Sequence, residues 1–411
     1  MDKALEIKPD LHEAWNNRGY ALGNLGRWEE AIASYDKALE IKPDYQVAWN
    51  NRGYALRNLG RGEEAIVSYD KALEFKPDLH AAWNNRGYAL GNLGRWEEAI
   101  SSFDKALEFK PDDDEAWNTR GYALGNLGRW EEAIASYDKA LEFKPHDDEA
   151  WNNRGYALHN LGRWKEAIAS YDKALEFKPD YQVAWNNRGS VLDDLGRLEE
   201  AIASYDKALE FKPDFHEAWY NRGSILGNLG RWEEAISSFD KALEFKPDLH
   251  EAWNNRGYAL GNLGRGEEAI ASYAKALEIK PDSYEAWNNR GSVLAGLGRL
   301  EEAIASYDKA LEFKPDSYEA WNNRGIALRN LGRLEEAIAS YDKALEIKPD
   351  DDATFYNKAC YYALQSQIDQ AIQNLQQAIH LNPDEYREMA KTDSDFDSIR
   401  SHTRFQALIQ E

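Results

Sequence analysis

The sequence predicts an all-α fold built by stacking copies of one small unit, and three observations carry that prediction. All twelve prolines stand on a single comb with a tooth every 34 residues, from Pro9, Pro43 and Pro77 to Pro383. A fixed period of that size marks a stacked repeat protein. Between successive teeth, apolar residues recur at helical spacing in two runs, and a glycine parts the runs. Each unit therefore reads as two antiparallel helices that cannot bury their apolar faces alone and must stack on a neighbour.

The stretch from Pro9 to Pro43 shows the elements in order. Asp10 is the expected N-cap of the first helix, with Glu13 three residues on to complete a capping box. Trp15, Gly19 and Leu22 fall on one face of that helix, and Gly26 supplies the left-handed residue that ends it. The second helix opens on Glu29 and Glu30 and closes with Lys42 before Pro43, the charge order a helix macrodipole favours. Its buried stripe is expected to be Ala31, Tyr35, Ala38 and Leu39. A glycine inside a helix costs about 1 kcal/mol relative to alanine. With Ala31 and Ala38 opposite, Gly19 reads as clearance for two close backbones, and Trp15 and Tyr35 as filling between neighbouring pairs.

A Trp, a Gly four residues later, then Ala, Tyr or Phe, Ala and Pro on this period resembles the tetratricopeptide repeat family over nearly the whole chain. The NRG and LGRxEEAIASYDKAL wording is most similar to long arrays of cyanobacterial proteins. The resemblance implies a right-handed superhelical solenoid of more than one turn, with first helices lining a concave groove.

In chain order, residues 1–11 read as the second half of a truncated repeat. Residues 12–385 form eleven repeats, beginning at His12, Gln46, His80, Asp114, Asp148, Gln182, His216, His250, Tyr284, Tyr318 and Asp352. The eleventh is degenerate: it keeps Phe355, Tyr362, Ala371, Ala378 and Pro383, but Ala359 replaces the glycine. Residues 386–411 are expected to be a helical cap in which Phe396, Ile399, Phe405, Leu408 and Ile409 cover the last repeat, with the TDSDFD run as a break.

The net charge of −23 is spread evenly along the repeats. Phosphate affinity comes from clustered Lys and Arg, so nucleic acid is excluded as a partner, and a neutral or basic polypeptide fits better. The sequence shows no signal peptide and no apolar run long enough for a bilayer, so a cytoplasmic, single elongated domain with no membrane contact is expected. Cys360 is the only cysteine and reads as a packing residue in a reducing compartment.

A helical wheel of the first helix puts Glu13, Asn16, Asn17, Tyr20, Gly23 and Asn24 on the side away from the apolar arc. The candidate groove residues are therefore Asn16, Asn50, Asn84, Asn118, Asn152, Asn186, Asn254, Asn288 and Asn322, and beside them Asn17, Asn51, Asn85, Asn153, Asn187, Asn221, Asn255, Asn289 and Asn323. A primary amide both donates and accepts, so such a ladder can pair with an extended peptide backbone; the alternative is that each amide bonds to the next repeat. Tyr20, Tyr54, Tyr88, Tyr122, Tyr156 and Tyr258 stand next to the ladder, with Ser190, Ser224, Ser292 and Ile326 in other repeats. Arg57, His159, Asp193 and Arg329 replace a glycine on the same arc and would give local selectivity. The basic clamp of chaperone-adaptor members of the family is not reproduced, so a chaperone carboxy-terminal tail is a poor ligand.

Arg18 and its copies fall inside the apolar arc, where an unpaired guanidinium is too costly to repeat. Each is expected to pair with Asp36 or its equivalent on a second helix, except one near Ala274, which breaks the aspartate series. The histidines sit mostly in the turns, without HExxH or paired cysteines, and neither a calcium loop nor a phosphate-cradling glycine loop occurs. No catalytic, metal or cofactor site is expected. The reading is a non-catalytic scaffold that holds an extended polypeptide. Its alternatives are an end-to-end self-assembling solenoid and, by family habit, a regulatory subunit of a bacterial enzyme complex such as a caspase-like protease.

Overall fold

A computed structural model describes residues 10–410, so the truncated half repeat expected over residues 1–11 lies almost wholly outside the described residues. Among the described residues there are twenty-four α-helices, one short 3-10 turn and no strand. All eleven expected repeat starts are the first residues of helices, from His12–Asn24 paired with Trp28–Ile41 to Asp352–Leu364 paired with Ile368–Leu381.

The chain divides into two compact units, residues 1–213 and 214–411. Repeats contact only their neighbours, so the turn between any two can become a boundary. Within each unit the two helices of a repeat pack on each other, and the second helix packs on the first helix of the next repeat. First helices of successive repeats also approach one another and so take the more crowded side.

The helix ends follow from single residues. Gly26 sits at φ +71°, and its counterparts up to Gly332 lie between +70° and +79°. There Gly26 N donates to the Gly23 carbonyl at 2.9 Å and Arg27 N to that of Leu22 at 3.0 Å, closing the helix. The expected cap at Asp10 is displaced by one residue: Leu11 is the N-cap, and it offers no side-chain bond. The capping position lies two residues after the proline that precedes each first helix, and it caps only where it holds Asp or Ser, as at Asp113, Asp147, Ser283, Ser317 and Asp351.

The core confirms the stripe but corrects the reason for its glycine. Ala31, Tyr35, Ala38 and Leu39 are all buried. A Cβ on Gly19 would meet the Tyr35 ring at 2.6–2.9 Å, and the same ring contact recurs down to Gly325 and Tyr341. The clearance is therefore for an aromatic ring, not for a second backbone. Trp15 instead packs between repeats on Ala38, Leu39 and Ala48. From Trp49 onward the indole is also tied to the proline comb, with Trp49 Nε1 donating to the Pro43 carbonyl at 2.8 Å.

In the second unit, helix Pro383–Thr392, a 3-10 turn at Ser394–Phe396 and helix Thr403–Gln410 close the last repeat. Phe396, Ile399, Phe405 and Ile409 are buried there, with Leu408 packed beside them. Cys360 is free and buried under this cap, where burial holds its thiol well above the ordinary cysteine range. Tyr356 donates to Asp393 Oδ2 at 2.8 Å, and Arg329 pairs with Asp395 at 3.1 Å. Arg329 is thus engaged with the cap.

Two outcomes follow from the buried rings. Gly121→Ala gains about 1 kcal/mol of helix propensity but drives a Cβ to 2.6–2.9 Å from the Tyr137 ring. Overpacking of this kind costs roughly 1–3 kcal/mol. A lower urea midpoint by circular dichroism is expected despite the better helix former. Burial also pushes Tyr35 and Tyr181 up to about 12, while an unfolded tyrosine titrates near ~10. Above that lower value the unfolded chain binds fewer protons than the folded one, so stability falls as pH rises. Urea midpoints measured from pH 8 to 11 are expected to hold up to about pH 9.5 and then decline.

Candidate functional site

The arginines inside the apolar arc are structural. Arg52 Nε donates to Asp36 of the preceding repeat at 2.7 Å, and its Nη1 donates to Ser68 of its own repeat at 2.8 Å. Ser68 in turn donates to the Glu64 carbonyl at 3.0 Å, so one guanidinium joins three helices. The same bridge links Arg86 to Asp70, Arg120 to Asp104, Arg154 to Asp138, Arg188 to Asp172, Arg256 to Asp240 and Arg324 to Asp308. Lys358 keeps the link to Asp342 at 2.6 Å. Arg290 faces Ala274 and lacks the carboxylate, but it keeps the two contacts its counterparts make, to Ser306 at 2.7 Å and over the Trp287 ring at 5.6 Å from the centroid. Burial lowers the basicity of that guanidinium.

The asparagine ladder is a chain of bonds between repeats. Asn51 Nδ2 donates to Asn16 Oδ1 at 3.1 Å, and Asn85 donates to Asn50 at 3.1 Å. Asn153 donates to Asn118, Asn187 to Asn152, Asn289 to Asn254, Asn323 to Asn288 and Asn357 to Asn322. Asn16 and Asn152 are only 6% and 5% exposed, while the other bonded rung asparagines are half-buried. Tyr220 replaces one acceptor, and its hydroxyl accepts from Asn255 at 3.3 Å. Asn186 and Asn221 occupy the same register positions on either side of the division at residue 213. Each amide has two donor hydrogens and two lone pairs, so a rung that spends one of each retains capacity for a ligand.

One rung is broken. Thr119 stands where a donating asparagine belongs, and its hydroxyl turns back to the Glu115 carbonyl at 2.8 Å. Asn84 Oδ1 is left buried with no hydrogen-bond partner.

Beside the rungs the tyrosines are the exposed groups. Tyr20, Tyr54, Tyr122 and Tyr156 of the first unit are 60%, 43%, 56% and 50% exposed, and Tyr258 of the second is 53% exposed. Tyr88 is drawn in: its hydroxyl donates to Glu115 at 2.8 Å and its ring meets Phe103 edge-on. Burial, then the Glu115 bond, raises its pKa. Hollows open along this row. One of about 550 Å³ lies among Tyr20, Trp28, Tyr35, Asn51 and Tyr54, and one of about 320 Å³ among Tyr122, Trp130, Asn153 and Tyr156. Between them lies a polar hollow of about 810 Å³ bounded by Arg57, Asn84, Tyr88 and Glu115. Next to it, about 710 Å³ is lined by Asp113, Asp114, Glu115, Asp147, Asp148 and Glu149 against Lys110, Lys144 and Lys178.

The walls of these hollows include an element that the wheel missed. Trp28, Trp96, Trp130 and Trp232 open second helices, and the Gly23, Gly91, Gly125 and Gly227 positions face them: an added Cβ would lie 3.1–3.9 Å from the indole. Each indole then meets a tyrosine of the next repeat edge-on, as in Trp28 with Tyr54 at 6.1 Å and Trp130 with Tyr156 at 6.0 Å. The signal was present as a co-occurrence of glycine and tryptophan five residues apart. Where the glycine changes, its replacement makes local contacts: Arg57 stacks on Tyr54 and Tyr88 at 4.9 and 5.4 Å, and His159 Nε2 meets Asp194 at 2.5 Å.

Four sequence-family models described as tetratricopeptide or TPR repeats match the chain. They cover residues 118–182 and 254–318; 12–45, 80–113, 216–249 and 318–351; 53–94 and 189–230; and 34–66, 170–203 and 340–373. No curated protein matches. Among solved structures, YrrB, described as a TPR protein with an unusual peptide-binding site, is 28% identical with a TM-score of 0.42, over 46% of this chain and 98% of its own. MamA is 26% identical with a TM-score of 0.38, over 39% and 94%. A tetratricopeptide repeat protein from Parabacteroides merdae is 21% identical with a TM-score of 0.49, over 61% and 98%.

The broken rung can be repaired. Thr119→Asn supplies the missing donor to Asn84, and a restored hydrogen bond contributes about 0.5–1.5 kcal/mol. A higher urea midpoint is expected; an unchanged one would show that Asn84 is already satisfied.

Proposed function

The chain belongs to the tetratricopeptide repeat family, and from that premise we propose that it is a non-catalytic scaffold holding an extended polypeptide along its first helices. The observation that carries this reading is the row of exposed tyrosines in the first unit, each opening onto a hollow beside an amide rung. Exposed aromatic rings in line, flanked by amides with spare donors and acceptors, suit a peptide backbone with side chains dropping in at intervals. Asn50 and Asn118 would present Nδ2, and Asn51 and Asn187 would present Oδ1, each held in direction by the bond between repeats. The rungs of the second unit, from Asn254 to Asn323, would act likewise beside Tyr258.

Charge points to a neutral or basic partner. The hollow near Glu115 gathers six carboxylates against three lysines, and the chain as a whole carries −23. No helix among the described residues is long and apolar enough to cross a membrane.

The test exploits substitutions that the repeats already tolerate, since Ser190, Ser224 and Ser292 stand where other units have tyrosine. Displayed random peptides would be selected on the wild-type chain and on a variant carrying Tyr20, Tyr54, Tyr122 and Tyr156→Ser. Enriched peptides rich in Lys or Arg are expected to bind the variant at least about tenfold more weakly, a loss of roughly 1.4 kcal/mol, with little change in melting temperature. Equal binding to both proteins, or no enrichment at all, would sink the reading.

A further inference from the structure

The tyrosines beside the amide rungs are partitions as well as exposed rings. Tyr54 borders both the hollow it shares with Tyr20 and the polar one that follows, and Tyr122 borders both the carboxylate-rich hollow and the one it shares with Tyr156. Arg57 shows what such rings accept, because its guanidinium lies over Tyr54 and over Tyr88 at 4.9 and 5.4 Å from their centroids. The electron-rich face of an aromatic ring attracts a cation, and Arg takes that position more often than Lys. Arg57 does not fill its hollow, which at about 810 Å³ is the largest of the four; what it takes is the ring faces. Tyr20, Tyr122 and Tyr156 are exposed, and among the described residues no cation of the chain lies over them.

The first and last of these hollows share one composition. Tyr20, Trp28, Tyr35 and Tyr54 wall the one, Tyr122, Trp130, Tyr137 and Tyr156 the other, and neither lining includes a charged side chain. Each also has an amide oxygen to spare. Asn51 commits Nδ2 to Asn16, and Asn126 commits Nδ2 to the Tyr122 carbonyl at 2.9 Å, so a bond orients each amide and leaves its Oδ1 as an acceptor. Four rings and a spare acceptor suit a flat cation with several N–H donors and no acceptor, which is the chemistry of a guanidinium. The net charge of −23, and the six carboxylates of the hollow across Tyr122, favour that cation over an uncharged ring.

We infer that these two hollows are guanidinium sites, each taking an arginine side chain of the polypeptide partner against its tyrosine and tryptophan rings. The identity of the carrier rests on the scaffold reading above; the preference for a guanidinium does not.

Proton NMR on N-acetyl-arginine-N-methylamide tests this with the full chain. The methylene protons next to the guanidinium are expected to shift upfield and saturate, as protons over a ring face do. Affinity is expected to exceed that of the citrulline analogue, whose neutral urea has the same shape, by at least about tenfold. The lysine analogue, charged but not planar, is expected to bind about threefold more weakly or worse. Gly23→Arg with Trp28→Gly and Gly125→Arg with Trp130→Gly give the first and fourth repeats the combination that the second carries as Arg57 and Gly62. With both pairs in place the chain's own guanidinium covers the rings, and binding is expected to be lost with the helical signal in circular dichroism unchanged. Tyr20→Ser with Tyr122→Ser, a change other repeats carry at Ser190 and Ser224, is a second readout and is expected to weaken binding at least about threefold. Glu115→Gln with Asp148→Asn removes charge from the neighbouring hollow and is expected to keep the preference for arginine over citrulline.

No saturable shift, equal affinity for the citrulline or lysine analogue, binding that survives the ring-covering and serine variants, or a preference that vanishes with the two carboxylates would overturn the proposal. The probe has no extended backbone, so its failure would leave the tyrosine-row scaffold standing, and failure of the peptide selection would leave the two guanidinium sites standing.

Discussion

The ring of Tyr35 lying against the bare backbone of Gly19 sets the distance between the two helices of a repeat, and the rest of the architecture depends on that contact. An alanine there would push the helices apart, since its Cβ would fall inside the ring's van der Waals radius. With the ring seated, Ala31 and Ala38 are fully buried, and the second helix presents Leu39 to the tryptophan stack of its neighbour. The cost of glycine in a helix is about 1 kcal/mol, against several for burying an aromatic ring, so the exchange favours the small residue.

Stacking then requires register, and polar groups supply it. An apolar interface alone tolerates sliding, whereas a guanidinium that reaches an aspartate on one repeat and a serine on its own does not. The amide rungs repeat the same constraint on the crowded side of each unit. Exposed ion pairs such as Arg27 with Glu30 add little, since partners in water gain about 0–1 kcal/mol. These regular contacts are interrupted at Thr119, at Arg57, and at the paired glycines Gly261 and Gly266 of the eighth repeat.

Much of this was legible in the sequence because its causes are local. Proline spacing located every repeat start to the residue, the left-handed glycines ended helices where expected, and the arginine–aspartate pairs followed from the cost of an unpaired buried charge. What was not legible depends on neighbours in space. Gly19 faces a ring and not a backbone because of how its partner helix is rotated, which periodicity does not encode. The direction of the amide bonds, from Asn51 back to Asn16, is a property of two repeats together. Asp10 fails as a cap by one residue, a displacement within the uncertainty of any boundary set by residue type alone. The tryptophan–glycine coupling could have been found from co-occurrence, had the repeats been aligned on one another and read in columns.

The arginine bridge has a genetic corollary. Seven aspartates each pair with an arginine sixteen residues downstream in the next copy, so excision or duplication of a whole copy between such pairs rejoins the same two side chains. Unequal recombination between such copies would then yield arrays of different length that keep this bridge. The exception is the closing segment, where Arg329 reaches Asp395 and Ser398 donates to the Ala363 carbonyl. Those contacts bind the tenth and eleventh copies to the tail as one inheritable block, so length can drift upstream of that block while the terminus stays constant.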